Sequence, residues 1–148
     1  MRRLSSSVLA GFLLAWFASP AGAMQLVTEE EAKAPNRVPT RSLATPAPTM
    51  GAPKLMITQP QGSTVKSPFP LDVSFQPENG AQIAVDTLAV EYVKLMNVDL
   101  TPRLRPYASE QGIAVRDVNL PPGRHTLRIS VADNHGRRNT VDMQVSVQ

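Results

Sequence analysis

The chain has 148 residues, with 15 basic and 12 acidic side chains, two histidines and no cysteine. The lack of cysteine excludes a disulfide framework, a thiol nucleophile and cysteine-ligated zinc or iron–sulfur sites. The net charge of +3 is small, so the overall charge gives no reason to expect a nucleic-acid partner.

Residues 1–23 predict a secretory signal peptide. Arg2 and Arg3 precede an apolar stretch too short to span a bilayer, and small residues at Ala21 and Ala23 form a cleavage site. An uncleaved membrane anchor is the alternative. Cleavage after Ala23 would leave 13 basic against 12 acidic residues, a net charge of +1, and no further stretch of transmembrane length. We expect a periplasmic location, with secretion as the alternative.

Residues 24–53 are rich in proline, alanine and threonine and predict a flexible tether. Such a segment has too few large apolar side chains to offset the entropy lost on ordering. Thr28 and Glu31 have the spacing of a capping box, which would give one helical turn over residues 28–34. A solvated acidic patch without a role is the favoured interpretation of these residues.

Residues 54–148 predict a folded all-β domain. Strands are expected near residues 55–58, 71–76, 88–92 and 113–118, where apolar and polar side chains alternate between turn residues. The clearest pattern lies in residues 121–148, where a period of two holds through two runs joined by one turn and predicts an antiparallel hairpin. Three residues are expected in the core: Phe75, Leu127 and Val145.

Residues 99–107, with the sequence DLTPRLRPY, also alternate between apolar and other side chains. Pro102 and Pro106 cannot donate hydrogen bonds to a sheet ladder, so they confine this segment to an edge strand or a loose crossing between sheets. Short strands at roughly ten-residue spacing, without a durable helical period, predict a sandwich of about seven strands.

The chain resembles bacterial immunoglobulin-like and fibronectin-type-III-like domains in two stretches. The first is Pro122-Gly123 followed by the alternating run to Asp133 and Gly136, and the second is Pro60 to Val65 with the strand ending at Phe75. The resemblance covers residues 54–148 and implies an immunoglobulin-like antiparallel sandwich. Domains of this kind serve as adhesin spacers, enzyme-appended modules and periplasmic carriers, so the resemblance does not define a function.

Most candidate sites have a structural explanation. Asp133 to Gly136 has the residue types of a tight turn, and Asp133 alone supplies too few oxygens for calcium. His125 and His135 with scattered methionines are similar to copper-resistance carriers, but the clustered soft ligands that cuprous copper requires are not seen. No serine lies in a strained turn beside a base. We therefore predict no catalytic residues, no metal site and no cofactor.

One cluster is a candidate for partner binding: Arg103, Arg105 and Tyr107 on the polar face of the predicted edge strand. Planar bidentate donors beside a ring suit an acidic peptide or an anionic envelope polymer. The favoured alternative is that these charges and prolines only prevent edge-to-edge aggregation.

The sequence therefore predicts an exported, non-enzymatic binding module of the cell envelope, which contacts an envelope protein or an anionic envelope polymer. A periplasmic copper carrier is the second hypothesis, and a small periplasmic enzyme is the third.

Overall fold

The computed structural model describes residues 22–36 and 45–148. The predicted signal peptide, residues 1–23, therefore lies almost entirely outside the described residues, as does part of the predicted tether. Both assignments remain predictions for those residues.

The described residues form ten strands and three short helices. In chain order these are β1 (Met24–Gln25), α1 (Glu29–Lys33), β2 (Lys54–Gln59), β3 (Thr64–Val65), β4 (Phe69–Gln76), β5 (Ile83–Tyr92), β6 (Val98–Asp99), α2 (Thr101–Leu104), a 3-10 helix (Arg105–Tyr107), β7 (Ala108–Ser109), β8 (Gly112–Asn119), β9 (Gly123–Asp133) and β10 (Arg138–Val147).

The strands form an all-β sandwich of two five-stranded sheets, which confirms the predicted fold class. One sheet has the order β1-β8-β4-β2, with β7 also paired to β8, and the other has the order β3-β10-β9-β5-β6. The core lies between them because alternate residues of each long strand point inward. Phe75, Leu127 and Val145 are buried there, as predicted.

Two features differ from the predicted antiparallel sandwich of about seven strands. The sheets are mixed, because β1 runs parallel to β8 and β3 runs parallel to β10. Four of the ten strands are only two residues long. A pair of residues is too short to show a period of two, so the sequence pattern detected only the longer strands.

Close packing fixes the start of β8 against β4. Gly112 has φ of 147°, and a Cβ at this position would clash with the carbonyl oxygen of Val73. Only glycine combines this backbone conformation with so close an approach. The first residue of β8 therefore has to be glycine for the strand to approach β4 this closely.

Candidate functional site

The segment Met24–Asn36, which we call the arm, packs against one edge of the sandwich. β1 adds to β8 with Met24 opposite Val118 and Gln25 opposite Asn119, and the backbone N–H of Leu26 donates to the carbonyl of Asn119 at 3.1 Å. The side chains of Leu26 and Val27 are 0% exposed and belong to the hydrophobic core. The expectation of a flexible tether over residues 24–53 is wrong for these residues, because they pair with β8 and bury two apolar side chains.

Further along the arm, α1 forms as a single capped turn. The Thr28 hydroxyl accepts from the Glu31 N–H at 3.2 Å, and the Glu31 carboxylate accepts from the Thr28 N–H at 2.8 Å. This is the reciprocal capping box whose spacing is visible in the sequence. The favoured interpretation, a solvated acidic patch without a role, is therefore wrong for Glu31.

Arg103 joins the arm to the body of the sandwich. Its Nη1 donates to the Leu26 carbonyl at 2.6 Å and to Glu31 Oε2 at 2.9 Å, and its Nη2 donates to Glu31 Oε1 at 2.7 Å. The bidentate guanidinium lowers the pKa of Glu31 from 4.5 to about 2, against the opposing effect of burial. Glu31 therefore stays ionised throughout the physiological pH range.

The segment that carries Arg103 is helical, which corrects the prediction of an edge strand over residues 99–107. Leu100 and Leu104 are four residues apart, and both are 0% exposed. This spacing places them on one face of a helical turn. Pro102 lies in the first turn of α2, where no N–H donor is needed, and the Asp99 carboxylate accepts from the Thr101 N–H at 2.8 Å.

The three residues of the predicted binding cluster therefore have different surroundings. Arg103 contacts the arm, while Arg105 and Tyr107 face solvent on the 3-10 helix. Arg105 makes a long contact of 3.4 Å with the Asp86 carbonyl, and Tyr107 is 44% exposed. The helical geometry separates Arg103 from the other two, so the three do not form one strand face.

A second cation, Lys94, also contacts the arm. It is only 3% exposed, and its Nζ donates to the Ala32 carbonyl at 2.8 Å and to Asn36 Oδ1 at 2.7 Å. Its ammonium also lies 5.0 Å from the centre of the Tyr92 ring, within cation–π range. Burial lowers the pKa of Lys94. The sequence analysis did not single out Lys94, although a lysine between Val93 and Leu95 in an apolar run is an available signal.

Beneath Lys94, Tyr92 and His125 form a buried polar pair. The Tyr92 hydroxyl lies 2.9 Å from His125 Nδ1, and Nε2 lies 2.7 Å from the Pro121 carbonyl. A carbonyl oxygen can only accept, so Nε2 carries the proton and Nδ1 accepts from Tyr92. Burial, opposed by the bond to Pro121 and aided by the charge of Lys94, lowers the pKa of His125. Burial raises the pKa of Tyr92 to about 12.

The turn between β9 and β10 has the structural role expected from its residue types. The Asp133 carboxylate accepts from the N–H groups of His135 and Arg137 at 2.9 and 3.0 Å and from Arg137 Nε at 2.7 Å. Burial alone would raise the pKa of Asp133, but these hydrogen bonds and the charge of Arg137 lower it overall. Gly136 has a positive φ of 76°, as this kind of turn requires.

Within residues 22–36 and 45–148, no group of three or more histidine, aspartate or glutamate side chains is placed to hold a metal ion. No helix in this part of the chain is long and apolar enough to cross a membrane. No family model, no curated protein and no solved structure matches this chain. The function must therefore be inferred from the geometry of the arm and its edge.

Proposed function

We propose that this chain is an exported, non-enzymatic interaction module of the cell envelope. The observation that carries the proposal is the docking of the arm on the edge formed by β8 and α2. The edge holds an extended segment through a short ladder, two buried apolar side chains and a bidentate ion pair. These are the elements by which domains recognise peptides through strand addition.

The fold and the composition are both compatible with this proposal. Two sheets with alternating inward apolar residues are compatible with the immunoglobulin-like architecture that the sequence resembles. The signal peptide predicted for residues 1–23 supports export, and the lack of cysteine makes the chain independent of disulfide formation. We infer a periplasmic location on this basis.

The exposed side chains of Arg105 and Tyr107 support a partner surface beside the arm. The Arg105 side chain makes no carboxylate contact among the described residues, and its one described bond is the long one to the Asp86 carbonyl. Its guanidinium is therefore available to an anionic group, and Tyr107 adds a partly exposed ring two residues away. We propose that an envelope protein or an anionic envelope polymer binds here.

Site-specific photocrosslinking in the intact envelope tests this proposal. A photoreactive phenylalanine at position 107 should give an adduct that weakens in the Arg105→Glu variant. A protein partner would give a discrete band, and a polymer would give a broad smear. The matched control is position 56, because Met56 is 51% exposed on β2, at the opposite edge of the same sheet.

Equal adducts at positions 56 and 107 would contradict the proposal, because they would report random collisions. If no adduct forms at position 107 although the protein is present in the envelope fraction, the proposal is contradicted as well.

A further inference from the structure

The contacts that charged side chains of the body make with the arm are all of one chemical type. The body supplies cationic donors, Arg103 and Lys94, and the arm supplies oxygen acceptors. The acceptors are the Leu26 and Ala32 carbonyls, the Glu31 carboxylate and the Asn36 side chain. If the arm leaves, both cations lose these acceptors together, and the core surface covered by Leu26 and Val27 is exposed. The vacated groove is therefore complementary to an extended segment with two apolar residues followed by a carboxylate.

From these observations we propose that the groove beside β8 and α2 also binds the arm of a second copy, so that copies exchange arms. A second copy presents the same apolar pair, the same carboxylate and the same carbonyls, so every contact described above can form between copies. This goes beyond the proposed function, because it concerns the purified protein and requires no envelope partner.

The length of the connection permits this exchange. Asn36 is nine residues before Thr45, whose hydroxyl donates to Asp142 on β10 at 2.6 Å. Nine residues can span at most about 30 Å. The arm ends near the turn after β5, where the Leu95 N–H donates to the Pro35 carbonyl at 2.9 Å. β5 and β10 flank β9, so they lie only about 10 Å apart across the sheet.

The ion pair between Glu31 and Arg103 provides a test, because removing each of its two members should change peptide binding differently. A labelled synthetic peptide of residues 24–36 is titrated into the full protein and followed by fluorescence anisotropy. In Glu31→Gln, the protein's own arm is weakened while the groove stays intact, so the peptide should bind about tenfold more tightly than to the wild type. In Arg103→Gln, the groove loses the guanidinium that holds both the protein's own arm and the peptide. The two losses offset each other, so the peptide should bind within about twofold of the wild-type level.

Two further variants control this experiment. Glu29→Gln should bind like the wild type, because the one ion pair of Glu29 among the described residues is with Lys33, at 3.7 Å on the exposed face of α1. Arg103→Lys keeps the charge but not the bidentate geometry, so it should bind the peptide like the wild type, and it replaces Arg103→Gln if that variant does not fold. A gain in affinity of similar size in Glu31→Gln and Arg103→Lys would overturn the proposal, because the ion pair would then only brace the fold.

Cysteine trapping tests whether the second copy is the occupant. The chain has no cysteine, so a Gln25→Cys chain mixed with a tagged Asn119→Cys chain can form a heterodisulfide between the facing residues of β1 and β8. Oxidation should give more heterodimer than the control mixture of Gln25→Cys with Gln144→Cys, where Gln144 lies exposed on β10. Equal yields would overturn arm exchange, even if the peptide binds.

Discussion

The arm and the terminal hairpin both complete a sheet, but they are held by different forces. β9 and β10 pair over ten successive residue pairs, and their inward side chains, such as Leu127 and Val145, are buried in the core. β1 pairs with β8 over two residues and depends on charge-assisted bonds from Arg103 and Lys94. Burial of a continuous apolar face does not depend on ionisation, whereas the docking of the arm does.

The largest expected effect on the free energy of unfolding comes from truncating one buried leucine in each region. Leu127→Ala should lower the free energy of unfolding by about 3 to 5 kcal/mol, through lost burial and the cavity that remains. Leu26→Ala should cost less than about 2 kcal/mol, although Leu26 is equally buried. The arm can detach while the sandwich stays folded, so its docking free energy limits the loss.

Urea unfolding of both variants measures these two costs. If Leu26→Ala costs as much as Leu127→Ala, the arm is an integral part of the core, and the distinction between the two regions fails.

The hairpin was predictable, because the pattern that specifies it lies within the hairpin itself. A period of two over 28 residues, with aspartate, asparagine and glycine at the reversal, specifies both strands and the turn. The burial of each inward residue can be inferred from the apolar residues two positions before and after it. Phe75 and its strand were predictable for the same reason.

The docking of the arm was not predictable, because the residues that hold it are distant in the sequence. Whether Leu26 is buried depends on an edge formed by residues more than 90 positions away, and Glu31 meets Arg103 across 72 positions. The local signal at Arg103 was also ambiguous. Leu100 and Leu104 fit the alternation of a strand and the spacing of a helical turn equally well, and only the packed structure distinguishes the two.

Acidification should destabilise the fold by protonating His125, which is hydrogen-bonded to Tyr92. The pKa of His125 is lowered in the folded protein, so the unfolded chain binds its proton first as the pH falls. The stabilisation is present above about pH 6.5, the ordinary histidine value, and is lost as the pH falls towards the lowered folded value. Protonated Nδ1 can no longer accept from Tyr92.

Urea unfolding at pH 8, 7, 6 and 5 measures this dependence. His125→Gln should have a flatter profile, while His135→Gln should keep the wild-type slope, because only the backbone of His135 has a described bond. Glu31 contributes little to this slope, because its ordinary pKa of 4.5 and its folded pKa of about 2 both lie below the range. Identical slopes for the wild type and His125→Gln would contradict the assignment.

The smallest effect should distinguish two arginines that are two residues apart. Arg105→Gln should change the free energy of unfolding by less than about 0.5 kcal/mol, because Arg105 is exposed and has one long contact. Arg103→Gln should cost more, although its side chain is 35% exposed, so solvent screening limits the loss to about 1 kcal/mol. Hydrogen exchange distinguishes the two arginine variants more sharply than global stability does. The Leu26 amide, which donates to Asn119, should exchange faster in Arg103→Gln and at the wild-type rate in Arg105→Gln. The amides of the β9–β10 ladder should be unaffected in both variants, because they open only with the whole sandwich. Faster exchange of those hairpin amides in Arg103→Gln would mean that the arm and the hairpin open as one unit, and that the two regions are not held independently.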